Sequence, residues 1–192
     1  MTYSITVPVE NDNKECLLAL RSGDTVLLSG EIYTARDQAH KRMADCLETG
    51  EQLSFALEGS AIYYVGPTPE REGQVIGSAG PTTSGRMDPY SPTLLDLGNK
   101  IMIGKGRRNN AVKKSLIQNG AVYLGAVGGA GALMAECIKK TEILAWEDLG
   151  CEAVRKLTVE NMPLTVIIDS QGNDLYDSGP EEYLKSISEN NE

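Results

Sequence analysis

Histidine is almost missing from this chain: His40 is the only one. A zinc site built on several histidines is thereby excluded, and a serine–histidine–aspartate triad has one candidate base. Tryptophan and phenylalanine occur once each, too few for a platform that stacks nucleic-acid bases. Basic charge is scarce as well. Against 27 Asp and Glu stand 18 Lys and Arg, a formal net charge of −9, the opposite of the footprint that phosphate backbones require. No apolar run approaches the roughly 18 residues of a membrane span. The opening residues, Met1-Thr-Tyr-Ser-Ile-Thr-Val-Pro8, contain no basic segment followed by an apolar one. The expectations are therefore no nucleic acid, no membrane and a cytoplasmic location. Cys16, Cys46, Cys137 and Cys151 include no Cys-x-x-Cys pair and read as reduced, mostly buried thiols, so no metal is expected on this chain.

What is present is an ordinary globular composition, with 41% hydrophobic and 23% charged residues over 192 positions. That length suits one domain, 1–192, large enough to bury about 70% of its unfolded surface. Alternation and capping signals predict strands at 5–9, 25–34, 61–65, 100–103, 121–127, 143–146, 157–159 and 164–168. Gly30 is expected to mark a bulge or a close backbone approach. Helices are predicted from an Asn13 cap to Leu20, from Asp37 to about Leu47, over 93–97 behind Ser91-Pro92, from Asn109 or Asn110 to Asn119, from Ala132 through Lys139, and from Pro180 to Ser188, with frayed final residues. Strands and short helices alternate irregularly, which predicts a single α/β domain with a mixed sheet.

One stretch resists a packing explanation. Residues 77–90, Gly-Ser-Ala-Gly-Pro-Thr-Thr-Ser-Gly-Arg-Met-Asp-Pro-Tyr, offer little apolar surface to bury. They combine glycines, the hydroxyls of Thr82, Thr83 and Ser84, a guanidinium (Arg86) and a carboxylate (Asp88), a mixture that suits a small acidic ligand. Two further cations sit where a strand ends: Arg36 in Tyr33-Thr-Ala-Arg-Asp37, and Lys105 between Gly104 and Gly106. An ion pair of Arg36 with Asp37 or another carboxylate is an equal alternative for the first. His40, one turn into the helix after Arg36, suits a supporting hydrogen bond better than the role of general base. The pairs Arg107-Arg108, Lys113-Lys114 and Lys139-Lys140 read as solvated charges. Gly128-Gly-Ala-Gly131 lacks the spacing of a dinucleotide fingerprint and reads as close helix–strand packing. Taken alone, these residues say only that the chain binds a small polyanion.

Five motifs in order resemble a known family: Tyr33-Thr-Ala-Arg-Asp-Gln-Ala-His-Lys-Arg42, Ile62-Tyr-Tyr-Val-Gly-Pro67, Gly80-Pro-Thr-Thr-Ser-Gly-Arg-Met-Asp88, Met102-Ile-Gly-Lys-Gly106 and Gly172-Asn-Asp-Leu-Tyr176. The chain is similar to the C-terminal domain of class I, iron–sulfur-dependent fumarate hydratases and L-tartrate dehydratases, in many organisms a separate beta subunit. The resemblance covers roughly residues 24–176. It implies a swivelling β/β/α fold and a [4Fe-4S] cluster supplied by a partner alpha subunit, in an assembly such as a heterotetramer. By motif position it makes Thr82 the candidate proton-abstracting hydroxyl. It makes Arg36, Arg86 and Lys105 the substrate-carboxylate contacts; the residues themselves add Thr83 as a further contact, with His40 and Asp88 behind them.

The expected activity is reversible dehydration of a 2-hydroxy dicarboxylate, malate to fumarate first and tartrate second. Two other classes stay open: a stand-alone domain that binds small carboxylates, and a partner-free hydrolase using Ser84 or Thr82 with His40.

Overall fold

The computed structural model describes residues 1–127 and 129–189. Gly128, which opens the glycine-rich run noted above, and residues 190–192, where fraying was expected, lie outside the described residues. The elements are β1 (Thr2–Val7), α1 (Asn11–Ala19), β2 (Thr25–Thr34), α2 (Asp37–Glu48), β3 (Ala61–Tyr63), a 3₁₀ turn (Ser84–Met87), α3 (Ser91–Asp96), β4 (Ile101–Gly104), α4 (Asn110–Asn119), β5 (Val122–Gly125), α5 (Gly131–Glu136), β6 (Ile138–Ala145), a second 3₁₀ segment (Glu147–Glu152), β7 (Val154–Ile168) and α6 (Leu175–Glu189).

Among the described residues seven strands form one sheet, mixed as the sequence pattern predicts, where eight strand segments were expected. Strands β1 to β5 pair in parallel along the chain order, and β7 runs antiparallel to β2, β5 and β6. Because β7 pairs with both β2 and β5, the ladder β2–β3–β4–β5–β7 closes into a ring. Strands β3 to β5 are buried on both faces, which is why they read as unbroken apolar runs. Tyr63, Ile101, Ile103, Val122 and Leu124 join one core cluster, together with Val26, Leu28 and Leu157. Ile62, Tyr64, Met102 and Tyr123 point the other way, toward Ala39 and Met43 of α2, Leu94 of α3 and Val112 of α4. Each such side chain contributes about 1.5–3 kcal/mol on burial.

Several boundaries differ from the sequence-based expectations. β1 stops at Val7, before Pro8, which has no N–H to offer a ladder. Helix α1 begins at Asn11, and Asn13 acts inside its first turn by accepting from the Glu10 backbone N–H (2.8 Å). The expected helix through Lys139 ends at Glu136, since Ile138, Thr141 and Ile143 instead pair with β7. The two separate strands expected at 157–159 and 164–168 are one long strand. Asn161, at a φ of 48°, forms a bulge opposite Ser29, whose Oγ accepts its N–H (2.9 Å). Gly30 meets its expectation: its φ is 112°, and a Cβ there would lie 2.1 Å from the Val7 carbonyl oxygen.

Helix α6 starts at Leu175 and runs through Pro180. Proline leaves the carbonyl four residues back without its donor. That carbonyl, on Tyr176, accepts from Arg107 Nη2 at 2.6 Å, so the proline is tolerated.

Candidate active site

Parallel strands β2, β3 and β4 end on the same side of the sheet, the side where open α/β sheets hold ligands. The chain after each end carries a candidate residue. β2 leads to Arg36, β3 to Tyr64-Val65-Gly66, and β4 to Lys105. The glycine- and hydroxyl-rich loop is stitched across these ends rather than left free. Pro81 bridges Val65, Thr82 N–H donates to the Tyr64 carbonyl (2.8 Å), Thr83 bridges Lys105, and Ser84 N–H donates to the Lys105 carbonyl (2.9 Å). Such ties supply the backbone partners that a loop poor in apolar contacts needs.

The 3₁₀ turn then aims Arg86 back at Thr82. Arg86 Nη2 donates to Thr82 Oγ1 at 2.5 Å, and its Nε lies 3.4 Å from Asp37 Oδ1. Arg36, directly before α2, lays its guanidinium over Gly66, where a Cβ would come within 2.7 Å of Nη1. Its Nη2 lies 3.5 Å from Glu152 Oε1, while Glu152 Oε2 accepts the Gln38 N–H (2.9 Å). Of the alternatives for Arg36, the other carboxylate applies, and Asp37 serves Arg86 instead. Lys105 is exposed, and among the described residues no carboxylate lies within 4 Å of its amine. Three cations and two carboxylates leave an excess of one positive charge, suited to an anionic ligand.

Thr82, Arg86 and Asp37 are thus brought into contact, Thr83 and Lys105 lie side by side, and Arg36 adjoins Asp37 in the chain. Thr83 and Lys105 also border a hollow of about 540 Å³ that continues past Gly106, Ala126, Ile167 and Tyr176. A slightly larger hollow of about 600 Å³, between Thr68 and Lys139, contains none of the candidate residues; the smaller one is preferred because Thr83 and Lys105 border it, not for its size.

His40 and Asp88 sit beneath this surface. His40 is fully buried, its Nδ1 2.9 Å from the Arg36 carbonyl oxygen, which fixes Nδ1 as the protonated nitrogen. Nε2 is buried with no hydrogen-bond partner among the described residues, and the ring packs against Tyr64 and Tyr90. Burial pulls its pKa down to about 4, against a lesser opposing effect of the Arg36 carbonyl, so it is neutral at pH 7. The nucleophile–base pair that a hydrolase needs is not assembled. Ser84 Oγ is buried on Tyr123 OH (2.9 Å), and the part-exposed Thr82 Oγ1 accepts from Arg86 rather than meeting His40.

Asp88 accepts from Arg108 Nε (2.6 Å) and Asn109 N–H (2.8 Å). The expectation of a solvated Arg107-Arg108 pair therefore fails at Arg108, whose side chain is wholly buried. Its guanidinium lies over the rings of Tyr64 and Tyr123 and donates to Ser91 Oγ (2.6 Å). Lys113 also departs from expectation: it pairs with Asp174 and Asp177. Arg107 is more than half exposed and pairs with Asp177. Gly131 meets the close-packing reading, but against the Ser78–Gly80 loop; a Cβ there would lie 2.3 Å from Ser78 Oγ.

Asp37 and Glu152 contact the candidate arginines, and sequence reasoning did not select them as site residues. Asp37 stood inside a quoted motif, whereas nothing near Glu152 in the chain signals its contact with Arg36. Among the described residues no three His, Cys, Asp or Glu side chains converge to hold a metal, and the four cysteines are separate free thiols. These residues do not fit an iron–sulfur cluster. No helix among the described residues is long and apolar enough to cross a membrane.

Comparison with known proteins agrees with the motifs. Fumarate hydratase 1, mitochondrial, of Leishmania major is 42% identical over 156 residues, 78% of this chain and 28% of the relative. The aerobic class I fumarate hydratase of Escherichia coli K12 is 36% identical over 178 residues, 90% of this chain and 32% of its own length. The chain therefore spans under a third of these two relatives. A Methanocaldococcus jannaschii protein named, provisionally, L(+)-tartrate dehydratase subunit beta is 36% identical over 195 residues, 98% of each chain. The family model described as Fumarase C-terminus matches residues 2–179, and the chain belongs to that family.

Proposed function

We propose that this chain, acting as one domain over residues 1–192, is the beta subunit of a hydro-lyase that reversibly removes water from a 2-hydroxy dicarboxylate. Malate to fumarate is the first assignment and L-tartrate to oxaloacetate the alternative. The observation that carries the reading is the 2.5 Å contact of the Arg86 guanidinium with Thr82 Oγ1. An alcohol is a feeble base. A cation donating to its oxygen stabilises the alkoxide and leaves the hydroxyl proton free to pass to a stronger base. Thr82 then takes the C–H proton beside a substrate carboxylate. Arg36, Lys105 and Thr83 hold the carboxylates and stabilise the doubly charged species formed as that proton leaves.

In this reading the [4Fe-4S] cluster belongs to a partner alpha subunit, and the steps assigned here concern only groups of this chain. The match to a protein named, provisionally, as a tartrate dehydratase beta subunit supports an alpha-type partner, and the assembly assigned here is a heterotetramer. Four thiols without disulfides suit a reducing compartment such as the cytoplasm.

Anaerobic co-expression with an alpha-type chain, cluster reconstitution and assay on malate, fumarate and L-tartrate test the proposal. Turnover of none of them by a cluster-loaded complex overturns it. In the Thr82→Ala complex, exchange of the substrate C–H with solvent should fall by about 10²–10⁴-fold. Exchange at the unmutated rate removes Thr82 as the base.

A further inference from the structure

We propose that Tyr123 is a positioning residue that locks the loop bearing Thr82 and Arg86 to the loop bearing Lys105. This rests on the functional reading above. Tyr123 lies in β5, with its side chain fully buried. Its hydroxyl donates to the Gly106 carbonyl (2.9 Å), and since a phenol has one proton to give, Ser84 Oγ must be the donor in the second contact, also 2.9 Å. One oxygen on a core strand therefore holds residue 84 of one loop and residue 106 of the other. Burial pushes the Tyr123 phenol well above its ordinary range, so it stays a protonated donor at any physiological pH.

The surroundings leave this link little room to shift. A Cβ at position 104 would lie 2.0 Å from Ser84 Oγ, so the serine fills the space over Gly104. The Arg108 guanidinium lies 5.1 Å from the Tyr123 ring centre and is held by Asp88, the residue that ends the 3₁₀ turn carrying Arg86. Gly106 N–H donates to Tyr176 OH (3.2 Å), a second anchor on the Lys105 loop. Proton transfer at Thr82 and carboxylate capture at Lys105 act on one small substrate, so their relative placement matters at the ångström level. The Tyr123 hydroxyl is where a core side chain sets that placement.

Removing the hydroxyl separates this role from plain core packing. In the isolated full chain, Tyr123→Phe should speed hydrogen exchange at the Ser84 amide, which donates to the Lys105 carbonyl, by about tenfold or more. In the reconstituted complex with the alpha-type partner, Tyr123→Phe should lower kcat/KM on the substrate it turns over by about tenfold. Ser84→Ala should cost a similar factor, and the double variant little more than either, because both remove one link. A lower melting temperature with unchanged kinetics and unchanged Ser84 exchange overturns the proposal, as does full additivity of the two substitutions. If the unmutated complex turns over none of the dicarboxylates, the functional reading has failed. The exchange measurement then still judges the link, and unchanged exchange defeats it.

Discussion

Arginine meets carboxylate at two depths in this molecule, and the two regions differ in everything except the chemistry. On the surface, Arg36 and Arg86 approach Glu152 and Asp37 at 3.5 and 3.4 Å, with Arg86 47% exposed. About one turn of chain below, Arg108 and Asp88 meet at 2.6 Å with no exposure of the guanidinium. The deep pair has its remaining donors directed at Ser91 Oγ, Tyr64 OH and Met102 Sδ, with the guanidinium packed over the Tyr64 and Tyr123 rings, as a buried ion pair requires. The outer pairs are longer and unsaturated: among the described residues, the buried atoms Arg36 Nε and Asp37 Oδ2 have no hydrogen-bond partner. Loose contacts of this kind can exchange one carboxylate for another, whereas the tight pair is scaffolding. The contrast shows that an arginine's role follows from what else surrounds it, not from whether an acid is near.

The sharpest test of that contrast is Arg108→Met. It leaves Asp88 buried without its cation and should cost about 3–5 kcal/mol of stability in urea unfolding, whereas Arg86→Lys should cost under about 0.5 kcal/mol. Equal losses would erase the distinction. Kinetics should rank the two regions the other way. Arg86→Lys keeps the charge but loses the planar fork, so kcat/KM of the complex should fall by about 10²-fold, or about 2.7 kcal/mol. Near-normal turnover there would remove Arg86 from the site.

A pH effect comes from His40. Its folded pKa of about 4 lies below the ordinary 6.5, so in acid the unfolded chain binds a proton that the native state refuses. The contribution is complete above pH 6.5 and is lost as pH falls toward 4, on the order of 2 kcal/mol between pH 7 and 5. Unfolding curves of the native chain and His40→Asn at both pH values check this; an equal slope in the variant assigns the effect elsewhere.

The smallest expected change is at Glu152. Glu152→Gln keeps an acceptor for the Gln38 N–H and removes the counter-charge of Arg36. KM for the dicarboxylate should fall two- to fivefold, in keeping with the modest worth of a part-exposed pair, while kcat changes little. A raised KM would mean that Glu152 orients Arg36 more than it competes for it.

Most of the candidate surface was legible because it is local. Arg36, Thr82, Thr83, Arg86 and Lys105 each stand in a motif where a strand gives way to a glycine-rich or helix-opening segment, and backbone geometry there follows from neighbours in the chain. Alternation in β2 and unbroken apolar runs in β3 to β5 likewise located those strands, since such patterns are properties of a single strand. Boundaries failed where a distant partner decided them. Residues 138–139 read as helix until β7 supplies a ladder, and Pro180 forbids a helix until Arg107 takes over the carbonyl it leaves unpaired.

The sequence by itself therefore determined the mixed α/β pattern, the acidic net charge and which residues are proposed to grip a small dianion. Only the tertiary structure decided that Arg108 is buried, that Glu152 faces Arg36, that His40 is neutral and that Tyr123 holds two loops on one oxygen. Each of those depends on side chains brought together from 17 to 116 positions apart, contacts set by the closing of the sheet rather than by any local preference.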